Sequence, residues 1–160
     1  MLRLTATLFT AAALALAGCQ KQNAAPPETA RAAARLPWTE DYEGALARAK
    51  AEGKLVLLDF TGSDWCGLCI VLGREVFSTP EFAAYAEKNL VLVELDFTQQ
   101  GETKSTAFGR IHETLALKYV KEGFPTIVLV NPEGGTLGKL GYQPGGPQAF
   151  IAALEKLKGK

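Results

Sequence analysis

Three short runs of apolar residues most strongly constrain how this 160-residue chain can fold. The runs are LVLLDF at 55–60, LVLVELDF at 90–97 and PTIVLV at 125–130. A continuous apolar run of this length is typical of a buried strand. The segments between the runs have helical patterns, and strands that alternate with helices predict an α/β domain with a central sheet.

The segments around these runs carry start and stop signals for helices. Helices are predicted at 38–54, at 66–77, from Pro80 onward, at about 108–120 and at 148–158. Thr39 is the predicted cap of the first helix and Gly53 its end, while Gly73 predicts a kink in the second. TLGKLGY at 136–142 predicts a short edge strand.

The amino terminus has the layout of a secretory signal peptide over residues 1–18. An early Arg3 precedes an uncharged stretch that ends in small residues and is too short for a good spanning helix. The ending LAGC resembles the lipobox of bacterial lipoproteins, which implies cleavage before Cys19 and a lipid on that cysteine. Gln20 stands where an Asp would favour the inner membrane, so outer-membrane anchoring is the default expectation. An ordinary signal peptide that contains a cysteine is the alternative.

Composition divides the rest of the chain into a tether and one domain. Residues 19–36 contain the lipidated cysteine and a segment rich in Ala, Pro and polar residues, which predicts a flexible linker. A globular pattern then runs over 37–160. Lys plus Arg and Asp plus Glu each number 17, so the chain has no basic field that would attract nucleic acid.

Cys66 and Cys69 form one isolated pair if Cys19 carries a lipid. A zinc site needs about four ligands, and the mature chain adds only His112, for which a surface position on a helix is predicted. As a structural staple, a disulfide around so small a loop stabilises by only about 2 kcal/mol. The third interpretation is a redox couple.

The redox interpretation has a physical mechanism. The pair lies where a predicted strand ends and a helix begins, which puts Cys66 in the first turn. Free N–H groups and the helix dipole stabilise a thiolate there, and the thiolate is the nucleophile of disulfide exchange. Cys69, one turn further on, faces inward and can resolve the mixed disulfide.

Two segments resemble the thioredoxin family. LLDFTGSDWCGLC at 57–69 is similar to its strand, loop and active site, and KYVKEGFPTIVLVNPEG at 118–134 to the strand that opens with a cis proline. The sequence around the cysteines, DFTGSDWCGLCIVLGREVFSTPEF at 59–82, most resembles the carboxyl-terminal thioredoxin-like domain of DsbD-type thiol–disulfide interchange proteins and the small exported relatives of that domain. The resemblance implies a thioredoxin fold, a central mixed sheet flanked by helices, with an extra amino-terminal helix.

The resemblance also implies an activity and its participants. Cys66 corresponds to the attacking cysteine and Cys69 to the resolving one of a thiol–disulfide oxidoreductase. The partners implied are disulfide-containing exported proteins and a membrane electron donor of the DsbD type, on the periplasmic side of a bacterial membrane. No cofactor or metal is implied beyond the two sulfurs.

Four further residues are candidates for the site. Trp65 corresponds to the tryptophan that shields the cysteines, and Pro125 to the cis proline that presents backbone to a bound peptide. Asp59 corresponds to the buried acid that helps to deprotonate the resolving thiol, if the TGSD loop holds one inserted residue. Phe124 is a candidate for lining a peptide groove. The structural alternatives are core positions for Trp65 and Phe124, an ordinary trans proline, and a carboxylate at a loop edge.

Three positions depart from the family pattern and bear on the direction of exchange. Leu68 and Ile70 stand where thioredoxins carry proline and lysine, and Asp64 adds a negative charge before Cys66. A less electropositive site disfavours a strong oxidant, so a reductase or isomerase is predicted, with reductase as the first choice. Two rival functions stay open: a non-catalytic adaptor or chaperone lipoprotein, and a protein that delivers copper for cytochrome assembly.

Overall fold

The computed structural model describes residues 36–99 and 107–159. The elements in chain order are α1 (Tyr42–Glu52), β1 (Leu55–Thr61), α2 (Gly67–Leu72), a π-helical turn (Gly73–Phe77), α3 (Pro80–Asn89), β2 (Leu90–Asp96), α4 (Gly109–Tyr119), β3 (Thr126–Val130), β4 (Thr136–Leu140) and α5 (Gly146–Lys158). The predicted signal peptide, Cys19 and the linker to residue 35 lie outside the described residues. Within the described ranges no helix is long and apolar enough to cross a membrane.

The strands form one mixed four-stranded sheet in the order β2–β1–β3–β4. β1 pairs in parallel with β2 and antiparallel with β3, and β3 pairs antiparallel with β4. The predicted central mixed sheet, with α1 before its first strand and helices around it, is therefore confirmed. The predicted edge strand is β4, which forms one margin of the sheet.

Both faces of the sheet are covered, which explains why the strands read as continuous apolar runs. Val56, Leu58 and Phe60 pack with residues of α1 and α4 on one face. Leu57 packs on the other face with residues of α2, α3 and α5. Because side chains alternate along a strand, Asp59 projects to the same face as Leu57. An acid is thereby directed into the layer that contains α2.

The ends of α1 agree with the prediction at one end and correct it at the other. Gly53 ends the helix in a left-handed conformation with φ 67°, as predicted. The cap is Asp41, whose Oδ1 accepts a hydrogen bond from the Gly44 N–H at 2.9 Å, and not Thr39. Thr39 instead forms a parallel bridge to Val93 at the sheet margin. Because that bridge holds Thr39 in extended backbone, the helix begins only after it.

His112 is buried, which corrects the predicted surface position. Its side chain is 1% exposed, and Nε2 lies 2.8 Å from the Glu40 carbonyl oxygen. The Phe108 ring stacks on the imidazole with centroids 6.4 Å apart. The sequence carried the signal for burial, since His112 shares one helix face with the buried Leu115 and Tyr119 at spacings of three and seven.

Candidate active site

The cysteine pair occupies the junction between β1 and α2. Cys66 is the N-cap residue of α2, and Cys69 lies in the first turn of that helix. The two sulfur atoms are bonded at 2.13 Å, and the Cα atoms are 5.2 Å apart. The Cys69 N–H donates to Cys66 Sγ at 3.2 Å. After reduction, a thiolate on Cys66 would accept this hydrogen bond at a helix start, where the peptide dipoles favour negative charge.

The loop before Cys66 is anchored to the end of β2. The Trp65 Nε1–H donates to the Phe97 carbonyl oxygen at 2.7 Å, and the Gln99 N–H donates to Asp64 Oδ2 at 3.1 Å. A Cβ on Gly62 would lie 2.5 Å from Trp65 Cε2, so glycine is needed where the indole crosses the loop. Trp65 is nevertheless 42% exposed, and its ring covers the loop without being part of the core.

The segment that resembles the family's cis-proline strand comes to the same end of the sheet. The Phe124–Pro125 peptide bond is cis, as the resemblance implies. The Phe124 ring meets the Trp65 ring edge to face with centroids 5.5 Å apart. Phe124 and Pro125 share a cavity of about 470 Å³ with Leu68, the residue between the glycine and the second cysteine. The structure thus brings Phe124 and Pro125 to the segment that carries the cysteine pair, where they contact Trp65 or share a cavity with Leu68.

Asp59 shares a cavity of about 510 Å³ with Cys69. The side chain is 4% exposed, and among the described residues Oδ1 has no hydrogen-bond partner. Burial raises the pKa of Asp59 well above the ordinary aspartate value, and the negative charges of Glu94 and Asp96 raise it further. A carboxylate in this state can accept a proton from a neighbouring thiol near neutral pH.

Sequence reasoning missed three residues of β2 and its end that belong to the site. Glu94 and Asp96 pair in register with Asp59 and Thr61 of β1. The Ser63 N–H donates to Asp96 Oδ1 at 2.9 Å, and Phe97 accepts the hydrogen bond from the Trp65 indole. The available signal was the pair of carboxylates inside the apolar run LVLVELDF, since adjacent parallel strands end at the same sheet edge.

The charged groups near the cysteines do not form a metal centre. Among residues 36–99 and 107–159, no group of three or more His, Cys, Asp or Glu side chains is arranged so that it could hold a metal ion. What the site does offer is a pair of sulfurs, a helix start beside one of them and a buried carboxyl in the cavity of the other.

Comparison with known proteins agrees with this geometry. The profile of the family described as thioredoxin-like matches residues 37–132. The chain is 36% identical to the disulfide bond reductase DsbH of Chlamydia pneumoniae over 124 residues. The matched segment covers 78% of this chain and 74% of that protein. A solved structure of a DsbH oxidoreductase has a TM-score of 0.71 and 33% identity, over 88% of this chain and 93% of the other.

A second relative matches only in part. The chain is 35% identical over 89 residues to the thiol:disulfide interchange protein DsbD 2 of Pseudomonas aeruginosa. The matched segment covers 56% of this chain but 14% of that protein. The long match to DsbH and the mixed sheet confirm the predicted thioredoxin fold. The chain therefore belongs to the thioredoxin-like family, and with its Cys66–Cys69 pair it is a thiol–disulfide oxidoreductase.

Proposed function

We propose that the chain works as a reductase of disulfides in exported proteins, with Cys66 as the attacking cysteine and Cys69 as the resolving one. The observation that carries the assignment is the asymmetry of the pair. Cys66 Sγ accepts a hydrogen bond at the start of α2, whereas Cys69 lines the cavity that contains Asp59. The first environment favours a nucleophilic thiolate, and the second provides a base for a thiol that must be deprotonated later.

The exchange consists of two displacements. The Cys66 thiolate attacks one sulfur of the partner's disulfide, and the other partner sulfur leaves as a thiolate. Asp59 then takes the proton of the Cys69 thiol, and Cys69 Sγ attacks Cys66 Sγ and releases the second partner thiolate. Two electrons pass to the partner, and Cys66 and Cys69 end as the disulfide seen in the structure.

The charges around the pair support reduction as the direction. Asp64 precedes Cys66 in the loop, and Asp59 and Glu94 line the cavity of Cys69. Negative surroundings stabilise thiolates poorly, and a pair whose reduced form is not stabilised is a weak oxidant. The relative from Chlamydia pneumoniae is named a disulfide bond reductase, which agrees with this direction.

The reduction potential tests the direction. We expect the Cys66–Cys69 pair of the full-length protein to equilibrate with dithiothreitol and glutathione buffers near the thioredoxin value of about −270 mV. The measurement is the fraction of alkylatable thiol across the buffer series. A potential near the DsbA value of about −120 mV would instead make the protein an oxidant and defeat the proposal.

Trp65, Phe124 and Pro125 are the residues that we assign to contact with the partner polypeptide. Trp65 and Phe124 present aromatic edges beside the pair, and Leu68, at 52% exposed, adds an apolar side chain at the same cavity. Exposed apolar groups of this size around a reactive centre are typical of an interaction site. The cavity beside Pro125 gives an extended segment a place to lie along the start of β3.

The location that fits this activity is extracytoplasmic, and the similarity to Dsb proteins supports it. We assign a lipid anchor to Cys19, which would tether the domain to the periplasmic side of a bacterial membrane, with the outer membrane as the default. A DsbD-type membrane protein is the electron donor that the partial match to DsbD 2 supports. The oxidised pair would return to the dithiol by exchange with that donor.

The anchor is tested by Cys19→Ala. The parent protein is expected in the membrane fraction after cell lysis. The variant lacks the thiol that accepts the lipid, so it should appear in the soluble fraction or remain as a precursor with its signal peptide uncleaved. Incorporation of radiolabelled palmitate measures the modification directly. A parent protein that takes up no label and partitions like the variant would remove the anchor from the proposal but leave the redox chemistry unaffected.

A further inference from the structure

A second carboxylate faces the buried acid of the site. Glu94 of β2 is the register partner of Asp59 on the parallel strand β1. Partners in register on adjacent strands project their side chains to the same face of a sheet. Glu94 therefore projects, like Asp59, towards the layer of α2, where Cys69 lies. Burial of a charged group in a strand costs free energy unless the group is paired or hydrogen-bonded.

Glu94 and Asp59 differ in their access to solvent. Both line the cavity of about 510 Å³ that also contains Cys69. Asp59 is 4% exposed, whereas Glu94 is partly exposed at the level of the cavity wall. The two carboxyl groups thus share one cavity. Water stabilises the charge of the partly exposed Glu94 more than the charge of the buried Asp59.

We propose that Glu94 is a positioning residue for disulfide exchange: its negative charge sets the pH at which Asp59 can accept the proton of Cys69. This inference rests on the proton-acceptor role proposed above for Asp59. Like charges in one low-dielectric space disfavour each other's ionisation, so an ionised Glu94 delays the ionisation of Asp59 as the pH rises. The resolving step is then slow in acid and accelerates as Asp59 loses its proton.

The remaining charged groups around the cavity do not reverse this effect. The other charged or titratable groups that line the cavity or act on its two carboxyls are Arg74 on the π-helical turn, Cys69 of α2, Asp96 on β2 and Glu40 before α1. Asp96 and Glu40 are acids, and they raise the pKa of Glu94 after the larger contribution of burial. Arg74 is 72% exposed and lies 3.6 Å from Glu75 in an ion pair, so its charge is largely screened by solvent.

The chemical step concerned is the second displacement. The S–H bond of Cys69 breaks, its proton goes to a carboxylate oxygen of Asp59, and a bond forms between the two cysteine sulfurs. The bond between Cys66 and the partner sulfur breaks, and the partner leaves as a thiolate. Glu94 does not touch the reacting sulfurs in this scheme. It acts through the charge that it places beside Asp59.

The test measures the resolving step alone. The reduced full-length protein is mixed in a stopped-flow instrument with an aromatic disulfide whose released thiolate absorbs visible light. The first phase reports attack by Cys66, and the second phase reports displacement by Cys69. The rate of the second phase is recorded against pH for the parent and for Glu94→Gln, Glu94→Lys and Glu94→Asp.

We expect the acid limb of the second phase to move to lower pH by about one unit in Glu94→Gln, since a neighbouring charge shifts a carboxyl pKa by this order. Glu94→Lys should move the limb further because a cation favours an ionised Asp59. Glu94→Asp keeps the charge and should retain the parent profile. Glu87→Gln on α3, an exposed carboxylate that lines a different cavity, is the matched control and should change nothing.

Each outcome decides between the two levels of the proposal. Superimposable profiles for the parent, Glu94→Gln and Glu94→Lys would overturn the inference, as would an equal shift in Glu87→Gln. Asp59→Asn is measured beside them and should abolish the acid limb. If the limb persists in Asp59→Asn, the proton-acceptor role itself is wrong. If the acid limb disappears in Asp59→Asn but does not shift in the Glu94 variants, only the further inference is wrong.

Discussion

Replacement of Cys66 by serine is expected to abolish disulfide reduction, with a loss of at least about 10³-fold in turnover, because Cys66 is the residue that we assign to form the mixed disulfide. Cys69→Ser should behave differently, since attack by Cys66 remains possible but the displacement does not. The variant should therefore accumulate covalent complexes with its partners. Turnover is measured with a fluorescent peptide disulfide, and trapped complexes are detected by non-reducing electrophoresis.

The same experiment contains its controls. Cys66→Ser should trap nothing, and a protein with both cysteines replaced should behave like it. Adding Trp65→Ala or Phe124→Ala to Cys69→Ser should lower the yield of trapped protein partners, because aromatic contact area is lost beside the pair. Trapping by Cys66→Ser instead of Cys69→Ser would reverse the two roles. Retained turnover in both single variants would refute the exchange mechanism altogether.

Most of the fold could be predicted because its signals are local. Each apolar run became a strand that is buried on both faces, and each break in the pattern became a turn or a helix end. Gly53 ends α1 in the left-handed conformation that glycine adopts readily. Gly73 was predicted as a kink and is the residue at which α2 gives way to a π-helical turn. The signal for each feature lies within a short segment of the sequence, although distant elements complete the burial of the strands.

The errors in the fold come from contacts that are distant in sequence. Thr39 has a side chain suited to a helix cap, but its backbone hydrogen-bonds to β2. The helix is therefore capped by the next suitable residue, Asp41. His112 is the lone histidine of the chain and a polar residue, yet α4 turns it inward against Glu40, 72 positions earlier. In both cases a tertiary contact overrides a valid local preference.

The residues of the site likewise differ in whether local sequence or a distant contact determines their role. The cysteines and Pro125 lie in recognisable motifs, so their positions could be expected before the structure. Glu94 is marked in the sequence only as a carboxylate inside an apolar run, because its pairing with Asp59, 35 positions earlier, depends on the register between β1 and β2. The inserted residue before Cys66 obscured the match of Asp59 as well. Asp59 lines the cavity of Cys69, which supports the proposed match.

Asp59→Asn is expected to change activity and stability in opposite directions. The variant lacks the carboxylate to which we assign the Cys69 proton, so the resolving step should slow by about 10²–10⁴-fold, the usual contribution of a general base. At neutral pH the folded protein should become more stable. Burial is the main reason, because an ionised carboxylate whose Oδ1 has no hydrogen-bond partner among the described residues is costly in a cavity. Glu94 and Asp96 add repulsion.

The sign of the pH dependence follows from the raised pKa of Asp59. The folded state keeps the proton to a higher pH than the unfolded chain does, so unfolding releases a proton between the two pKa values. The parent's free energy of unfolding therefore falls as the pH rises from the unfolded value of about 3.9 towards the folded pKa. Asn cannot ionise, so this fall should be missing from the variant.

Urea unfolding at a series of pH values measures both proteins on one scale, and the second-phase rate gives the activity. The difference in stability should shrink as the pH drops towards the unfolded pKa, where Asp59 is protonated in both states. Asp41→Asn is the matched control: Asp41 is a partly exposed capping residue outside the cavity, and asparagine keeps a side-chain acceptor there. A parent and an Asp59→Asn variant with parallel stability curves would show that Asp59 ionises as easily in the folded protein as in the unfolded chain. The buried carboxyl could then not have the raised pKa that the resolving step needs near neutral pH.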